Sequence, residues 1–433
     1  MASHPFLQRN WPALVIIAIG ALARLWWLTE INTQPQTDFA WYLQRATELS
    51  QSLGYRTEQG HTAYWPPGFP LALAAIFKLT GPSLVAAKVF NATLTLLCAL
   101  LTASIVRRLI GSQSLSLLAG MLVALSPGMI AYSGIIASEP LYTFLTLAAL
   151  QSVLWAQSYT RWGWAGFLVG LATLVRPQAI LIPLALASSP RPTTDYRKPK
   201  LHIAVLFCGI IALTTITPWI VRTYRTHGHL VFISTNGGDN LWIGHNHGAT
   251  GNYQTPPGIP QSPSAEINND RTTRVLALQE IRSNPARSLS LIPAKLSFTF
   301  NNPTDIPYWS FQTDPNKQIT PGMDKNRELF LAARQYTNTY TAILLWAALI
   351  GTILGLITPS GRFLVRIALP QIFLTAVIVA IFFGNGRFAL PTIPFQVILA
   401  IAGLASIREW VGRHTPPDPD DYGYQSEIIV SGT

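Results

Sequence analysis

Residues 164–187 read Trp164-Ala-Gly-Phe-Leu-Val-Gly-Leu-Ala-Thr-Leu-Val-Arg176-Pro177-Gln-Ala-Ile-Leu-Ile-Pro183-Leu-Ala-Leu-Ala187, apolar but for Thr173, Arg176 and Gln178. Pro177 lacks the N–H that would bond to the preceding turn, and its ring pushes Arg176 out of the α region. The stretch therefore predicts two short helices in a hairpin with Arg176 at the tip. A single kinked span would leave the charge near mid-membrane, at a cost of a few kcal/mol.

Outward from this hairpin the chain is a series of apolar runs. A transmembrane helix needs about 20 such residues, or somewhat fewer if its ends are anchored. The runs are Trp11–Leu28, Leu84–Val106, Leu115–Tyr132, Leu141–Gln157, Leu201–Val221, Tyr340–Ile357, Leu364–Phe383 and Leu390–Ile407. With the hairpin they predict an all-α integral membrane protein of about ten crossings. Charge placement agrees. With the N-terminus in the cytoplasm, ten crossings put Arg107, Arg108, Arg161, the Arg191–Lys200 loop, Arg362, Arg366, Arg408 and Arg413 inside, as the positive-inside rule requires. A single crossing at 164–187 would move the later basic loops to the other side.

Composition supports the same class. Of 433 residues, 49% are hydrophobic and 11% charged, against roughly 25% charged in a soluble domain. Too little charge is present to coat water-facing domains of this size. Thirteen tryptophans suit membrane interfaces. The net charge of +11 is spread over cytoplasmic connectors and one outer loop, so it implies no nucleic-acid partner. The first run lacks a small-residue cleavage site, and Arg24-Leu-Trp-Trp makes a poor end to a signal peptide, so it reads as a retained helix.

The organisation expected is an N-terminal transmembrane core over 1–221 with a first outer loop at 29–83. An outer loop domain over 222–339, transmembrane helices over 340–413 and a cytoplasmic tail over 414–433 follow. Cys98 and Cys208 both fall in predicted helices, leaving the outer loops without a disulfide. No Walker loop or dinucleotide fingerprint is present.

Chemistry-bearing residues gather at the predicted outer face. In the first loop Thr37 or Asp38 would cap an amphipathic helix. Phe39, Leu43, Ala46 and Leu53 form its apolar stripe, and Asp38, Trp41, Tyr42 and Arg45 its other face. Tyr64-Trp-Pro-Pro-Gly-Phe-Pro then breaks the chain before a second short helix. Ser138-Glu139-Pro140 occupies a short outer connector, where a carboxylate is costly unless solvated, paired or metal-bound; alternatively Glu139 only caps a helix. Arg387, where the last span begins, offers a planar fork of donors suited to phosphate, though a snorkelling arginine has the same placement.

In order along the chain, Asp38, Pro66-Pro-Gly-Phe-Pro70, Ser138-Glu-Pro-Leu141, Gly170-Leu-Ala-Thr-Leu-Val-Arg-Pro177, Thr217-Pro-Trp-Ile-Val-Arg222, Ser234-Thr-Asn-Gly-Gly-Asp-Asn-Leu-Trp-Ile-Gly244 and Gly386-Arg-Phe-Ala-Leu-Pro391 resemble the bacterial GT-C glycosyltransferases of the protein mannosyltransferase and aminoarabinose transferase type. The resemblance implies transfer of a sugar from a polyprenyl-phosphate donor to a lipid, glycan or protein acceptor outside the cytoplasm, and the absence of an outer-loop disulfide with the short basic connectors fits a bacterial inner membrane. The resemblance places Asp38 at the catalytic centre and Arg387 near the donor phosphate. Phe388 stands where the closing motif commonly has tyrosine, and His245 and His247 flank Asn246 where related loops often have Asn and Pro.

A hydroxyl nucleophile needs a base, for which Asp38 is the candidate, with Glu139 beside it as a catalytic group. The leaving phosphate needs cations: Arg387, Arg222, Lys88 and Arg176. Tyr42, Arg45, Tyr64 and Trp219 are the expected cavity residues. A single displacement inverts the anomeric centre. Asp38, Glu139, His245 and His247 also form a candidate ligand set for a divalent metal, although a His-x-His on a surface loop is commonly only polar; His227 and His229 are weaker candidates. Within the second outer loop Glu266–Arg282 and Asp324–Asn338 predict amphipathic helices, and 248–263 a lid. Two other classes remain. A transporter or flippase explains the helices and the interior charges Arg24 and Lys88, but the paired repeats typical of that class are not evident. A non-catalytic assembly subunit predicts that Asp38 is dispensable.

Overall fold

The computed structural model describes residues 5–414 apart from 58–59, 62, 155–157, 189–199, 255–264, 303–304 and 312–326. The Arg191–Lys200 loop (but for Lys200), most of the expected lid and the tail lie outside the described residues. Helix dominates the rest, with one antiparallel pair of two-residue strands, β1 (Arg56–Thr57) and β2 (Gly60–His61). The first half comprises α1 (Pro5–Glu30), α2 (Thr37–Ser50), α3 (Gly68–Thr80), α4 (Leu84–Ile110), α5 (Gln113–Ala124), α6 (Pro127–Gly134), α7 (Glu139–Val153), α8 (Tyr159–Val175), α9 (Ile182–Leu186) and α10 (Leu201–His227). The second comprises α11 (Gly237–His245), α12 (Glu266–Ser283), α13 (Pro285–Ser290), α14 (Ile292–Phe300), α15 (Asp305–Phe311), α16 (Arg327–Gly355), α17 (Pro359–Ile381) and α18 (Ile393–His414).

Local chemistry sets many of these boundaries. The Ser83 hydroxyl accepts from the Ala86 N–H to start α4, and Gly111 ends it in the left-handed region at φ 74°. Thr358 caps α17 ahead of Pro359. Among the described residues six helical stretches are long and apolar enough to cross a bilayer: α1 from Asn10 on, α4, α10, α16, α17 and the Gly386–Gly412 stretch that contains α18. α5 and α6, bent by 47°, make a seventh if they are one span. The chain is a multi-pass membrane protein. The other three expected crossings fall on α7, α8 and the Pro177–Leu186 run, which are shorter.

The bend between α5 and α6 has a buried cation behind it. Arg24 of α1 donates from Nη1 to the Ala124 carbonyl at the break (3.0 Å) and to the Gly20 carbonyl (2.8 Å), and from Nε to Thr95 (2.8 Å). It thereby satisfies a carbonyl that the break would orphan.

α8 and α10 run parallel. A Cβ on Gly163 would meet Phe207, one on Gly166 would meet Cys208 and Ile211, and one on Gly170 would meet Ala212 and Thr215. Both sequences therefore climb together along the contact, so the chain must come back between them. Arg176 begins that return, held extended at φ −145°, ψ 117° before a 3₁₀ turn at Pro177–Leu181. Beyond α9, Ser188 donates to the Arg366 carbonyl near the start of α17 (2.6 Å).

One continuous apolar core links the spans. A smaller one gathers Tyr55, Ala63, Ile216, Trp219, Val231 and Ile233 from the outer loops and α10. Three local expectations are corrected. The cap position of α2 is Gln36, without a side-chain bond; Thr37 instead sits at φ 51°. Leu53 lies beyond the end of α2 and is exposed, whereas Tyr42 and Arg45 are buried, because outer-loop residues cover the supposedly polar face as well. Within the described residues the helix expected at Asp324–Asn338 is the start of α16, which runs unbroken into the following span, so the expected boundary at 339/340 falls inside a helix.

Candidate active site

Three distant parts of the chain meet at Arg387. Its Nη2 donates to Oδ2 of Asp38 (2.8 Å) and its Nε to Oε1 of Glu139 (2.6 Å). Arg176 donates from Nη2 to the same Glu139 oxygen (2.5 Å). Two carboxylates and two guanidiniums thus form one network. Glu139 is fully buried, while the Asp38 and Arg387 side chains keep 14% and 15% exposure. Rings flank the cations: Arg387 lies 5.2 Å from the Phe39 centroid and Arg176 5.6 Å from that of Phe388.

Each member is fixed locally. Asp38 lies in the first turn of α2 and accepts at Oδ1 from the Thr37 hydroxyl (3.0 Å). Thr37 itself occupies the left-handed region, which disfavours a β-branched residue and stores about 1–3 kcal/mol of strain. Glu139 opens α7 after the Ile135–Ser138 linker. Asn91 of α4, fully buried, donates to the Ile135 (2.7 Å) and Ala137 (3.2 Å) carbonyls of that linker. Arg387 rides a 3₁₀ turn, Gly386–Thr392, started by the Asn385 side chain accepting from the Arg387 N–H (3.0 Å). The preceding Gly384 packs where a Cβ would lie 2.1 Å from the Lys295 carbonyl, and its N–H donates to Gly251 (2.7 Å).

The other expected residues sit as follows. Tyr42 is buried against Trp41 and Phe69, and burial together with the Asp38 charge pushes its phenol up. Arg45 is buried and paired with Glu48. Tyr64 donates to Asp239 (2.8 Å), and burial first, then that carboxylate, raises its phenol. Arg222 donates to the Tyr55 carbonyl (2.9 Å) and stacks over Tyr55 and Trp219, tying α10 to the first outer loop, while Trp219 donates to Ile233 (2.7 Å). Lys88, buried on α4, reaches Asn32 at 3.5 Å and has no carboxylate at ion-pair distance among the described residues.

The candidate metal set does not assemble. Among the described residues no three His, Cys, Asp or Glu side chains converge as ligands. His245 is buried, not on a loose surface loop. Its Nδ1 meets Ser288 (3.2 Å), and its Nε2 lies 2.9 Å from the Ile381 carbonyl and 3.2 Å from Lys295 Nζ. Burial first, then the Lys295 charge, lowers its pKa. His247 instead faces Glu280 (3.0 Å). Between Asp38 and Glu139 the cation in place is a guanidinium, and a dication 4 Å from one meets roughly 8 kcal/mol of repulsion at an effective dielectric of about 20.

Sequence reasoning overlooked Asn91, Tyr253 and Lys295, and gave Asp239 no role beyond its motif. Asn91 carried a signal, as a lone carboxamide in an apolar helix. Tyr253 packs its ring at a tilt against Phe383 (5.6 Å), and burial first, then the Asp38 charge, raises its phenol. Nothing in its loop sequence announced that placement.

Comparison with known proteins agrees with this architecture. The family model described as dolichyl-phosphate-mannose-protein mannosyltransferase matches residues 65–221. The fold is similar to the apo oligosaccharyltransferase of Archaeoglobus fulgidus, with TM-score 0.52 at 11% identity over 94% of this chain and 52% of that one. Lower similarities are to the Archaeoglobus fulgidus oligosaccharyltransferase AglB with an inhibitory peptide and a dolichol-phosphate (0.48, 13%, 99% and 53%) and to ArnT of Cupriavidus metallidurans bound to undecaprenyl phosphate (0.42, 13%, 94% and 82%). The chain spans about half the length of the oligosaccharyltransferases it matches. No curated protein matches it in sequence. The likeness to GT-C glycosyltransferases expected from the motifs is present in the family match and in the fold.

Proposed function

We propose that this protein is a membrane glycosyltransferase that moves a sugar from a polyprenyl-phosphate carrier to an acceptor hydroxyl on the extracytoplasmic face. One observation carries the reading: Asp38 and Glu139, from separate outer connectors, are joined by Arg387 of the closing motif. Paired carboxylates with adjacent guanidiniums suit a reaction that takes up a proton while releasing an anion. Asp38, the more open acid, takes the acceptor proton as the oxygen attacks the anomeric carbon. The bond from that carbon to the phosphate oxygen breaks, and the polyprenyl phosphate departs with inversion. Glu139 holds both guanidiniums in place. Two nitrogens of Arg387 are committed to carboxylates, which leaves Nη1, together with Arg176 and Lys88, for the phosphate.

A groove beside the site suits the carrier chain. Gly386, Ala389, Leu390 and Ile393 line it with Gly128 and Phe300. Phe300 and Gln396 also line a second, apolar hollow with Leu345, Leu349, Leu369 and Leu399. Ten crossings fit the parallel packing of α8 and α10, with Arg176 at an outer tip and the short basic connectors inside a bacterial inner membrane. The acceptor is a lipid, a glycan or a protein.

Purified protein given a radiolabelled polyprenyl-phosphate sugar and membrane acceptors should transfer the label, and a sugar nucleotide should not replace the lipid donor. Transfer from the nucleotide alone would overturn the reading.

A further inference from the structure

We infer that the Arg387 guanidinium is the resident cation of the Asp38–Glu139 pair, holding the point that a divalent ion would otherwise bridge. The inference rests on the transferase reading for its catalytic meaning and on geometry for its substance. Two carboxylates brought together from separate connectors repel each other unless a positive charge lies between them. Here that charge is supplied by the chain. One guanidinium edge spans the pair, Nη2 on Asp38 at 2.8 Å and Nε on Glu139 at 2.6 Å, short as charge-assisted bonds are.

Two features keep the guanidinium there, and a third bars any further cation. The Asn385 side chain fixes the backbone of Arg387 through its N–H. The Phe39 ring covers the guanidinium at 5.2 Å, and Phe39 is in turn held edge-on by Trp309 at 5.2 Å. Arg176 adds a second positive charge on the same Glu139 oxygen. An incoming dication would have to displace one guanidinium and then remain beside another. Among the described residues neither histidine is free to join the two acids, because His245 has both ring nitrogens engaged and His247 turns to Glu280.

A fixed organic cation differs from a metal ion in what it does for the reaction. It neutralises the acids and orients Asp38, but it has no vacant coordination position for an acceptor atom. Deprotonation of the acceptor then falls to Asp38 alone. That suits a hydroxyl, whose proton a positioned carboxylate can accept as the new bond forms.

The test is a Mn2+ titration of the full-length protein in detergent, followed by electron paramagnetic resonance, with turnover measured in parallel. Wild type is expected to bind no more Mn2+ than Asp38→Asn, and its turnover to stay within twofold after EDTA treatment. Arg387→Ala combined with Arg176→Ala, with both guanidiniums removed from the acids, is expected to acquire a Mn2+ site that adding Asp38→Asn removes. A stoichiometric Mn2+ site in wild type that Asp38→Asn abolishes would overturn the inference, as would a tenfold loss of turnover on chelation restored by Mn2+. A protein carrying both arginine substitutions that binds no more Mn2+ than wild type would overturn the assignment of that point as a cation position. The titration needs no turnover, so a protein inactive with every donor would sink the transferase reading and leave this one to be decided by Mn2+.

Discussion

Two guanidiniums converge on one oxygen of Glu139, whereas Asp38 meets one and stays partly open. The two acids should therefore answer differently to neutral isosteres. Glu139→Gln leaves Arg387 only Asp38 and leaves Arg176, largely buried, without a carboxylate, a change that typically costs about 3–5 kcal/mol. Asp38→Asn leaves Arg387 anchored on Glu139 and should cost about 1 kcal/mol. Thermal unfolding in detergent should show Glu139→Gln melting well below Asp38→Asn, and equal melting would contradict this division of roles. At this scale the sequence made Asp38, Glu139, Arg176 and Arg387 visible one by one, because each charge stands out beside apolar runs. Their union was invisible: Arg387 and Asp38 lie 349 positions apart, and no periodicity links them. The histidine pair misled because spacing carries no information about burial, and His245 is consumed in docking α11 onto the end of α17.

Helix packing sets where Arg176 arrives. α8 touches α10 through Gly166, where any side chain would drive a Cβ to 2.4 Å from the Cys208 carbonyl oxygen. Gly166→Val must push the helices apart, at about 1–3 kcal/mol for overpacking, and displace the break that presents Arg176 to Glu139. Lower thermal stability together with lower transfer is expected. Gly209→Ala, which faces open space on the same pair of helices, should match wild type in both. Equal behaviour of the two variants would contradict the packing account. The break at Arg176-Pro177 was legible because proline chemistry is local. The bend between α5 and α6 was read as one straight run, since the buried Arg24 that supports it acts from another helix. The short helices α13, α14 and α15 had no strong pattern to betray them, being set by tertiary contact more than by propensity.

Over the whole molecule, apolar run length and the distribution of arginine made the membrane class and the order of spans readable, whereas the folding of the second outer segment over the site depends on long-range contacts. The orientation is testable with single cysteines, because Cys98 and Cys208 are buried. With the N-terminus inside and ten crossings, Lys200→Cys should react with an impermeant maleimide only in opened membranes, and His229→Cys in intact cells. The reverse pattern would mean that 164–187 crosses once. Catalysis is the property in which site, groove and topology must all be right together. Transfer of radiolabelled sugar from a polyprenyl-phosphate donor, compared between wild type and a folded Asp38→Asn protein, is therefore the most direct measurement. The account predicts transfer by wild type and a loss of about 10²–10⁴-fold in the variant, the usual span for a general base; equal rates in the two proteins would contradict it.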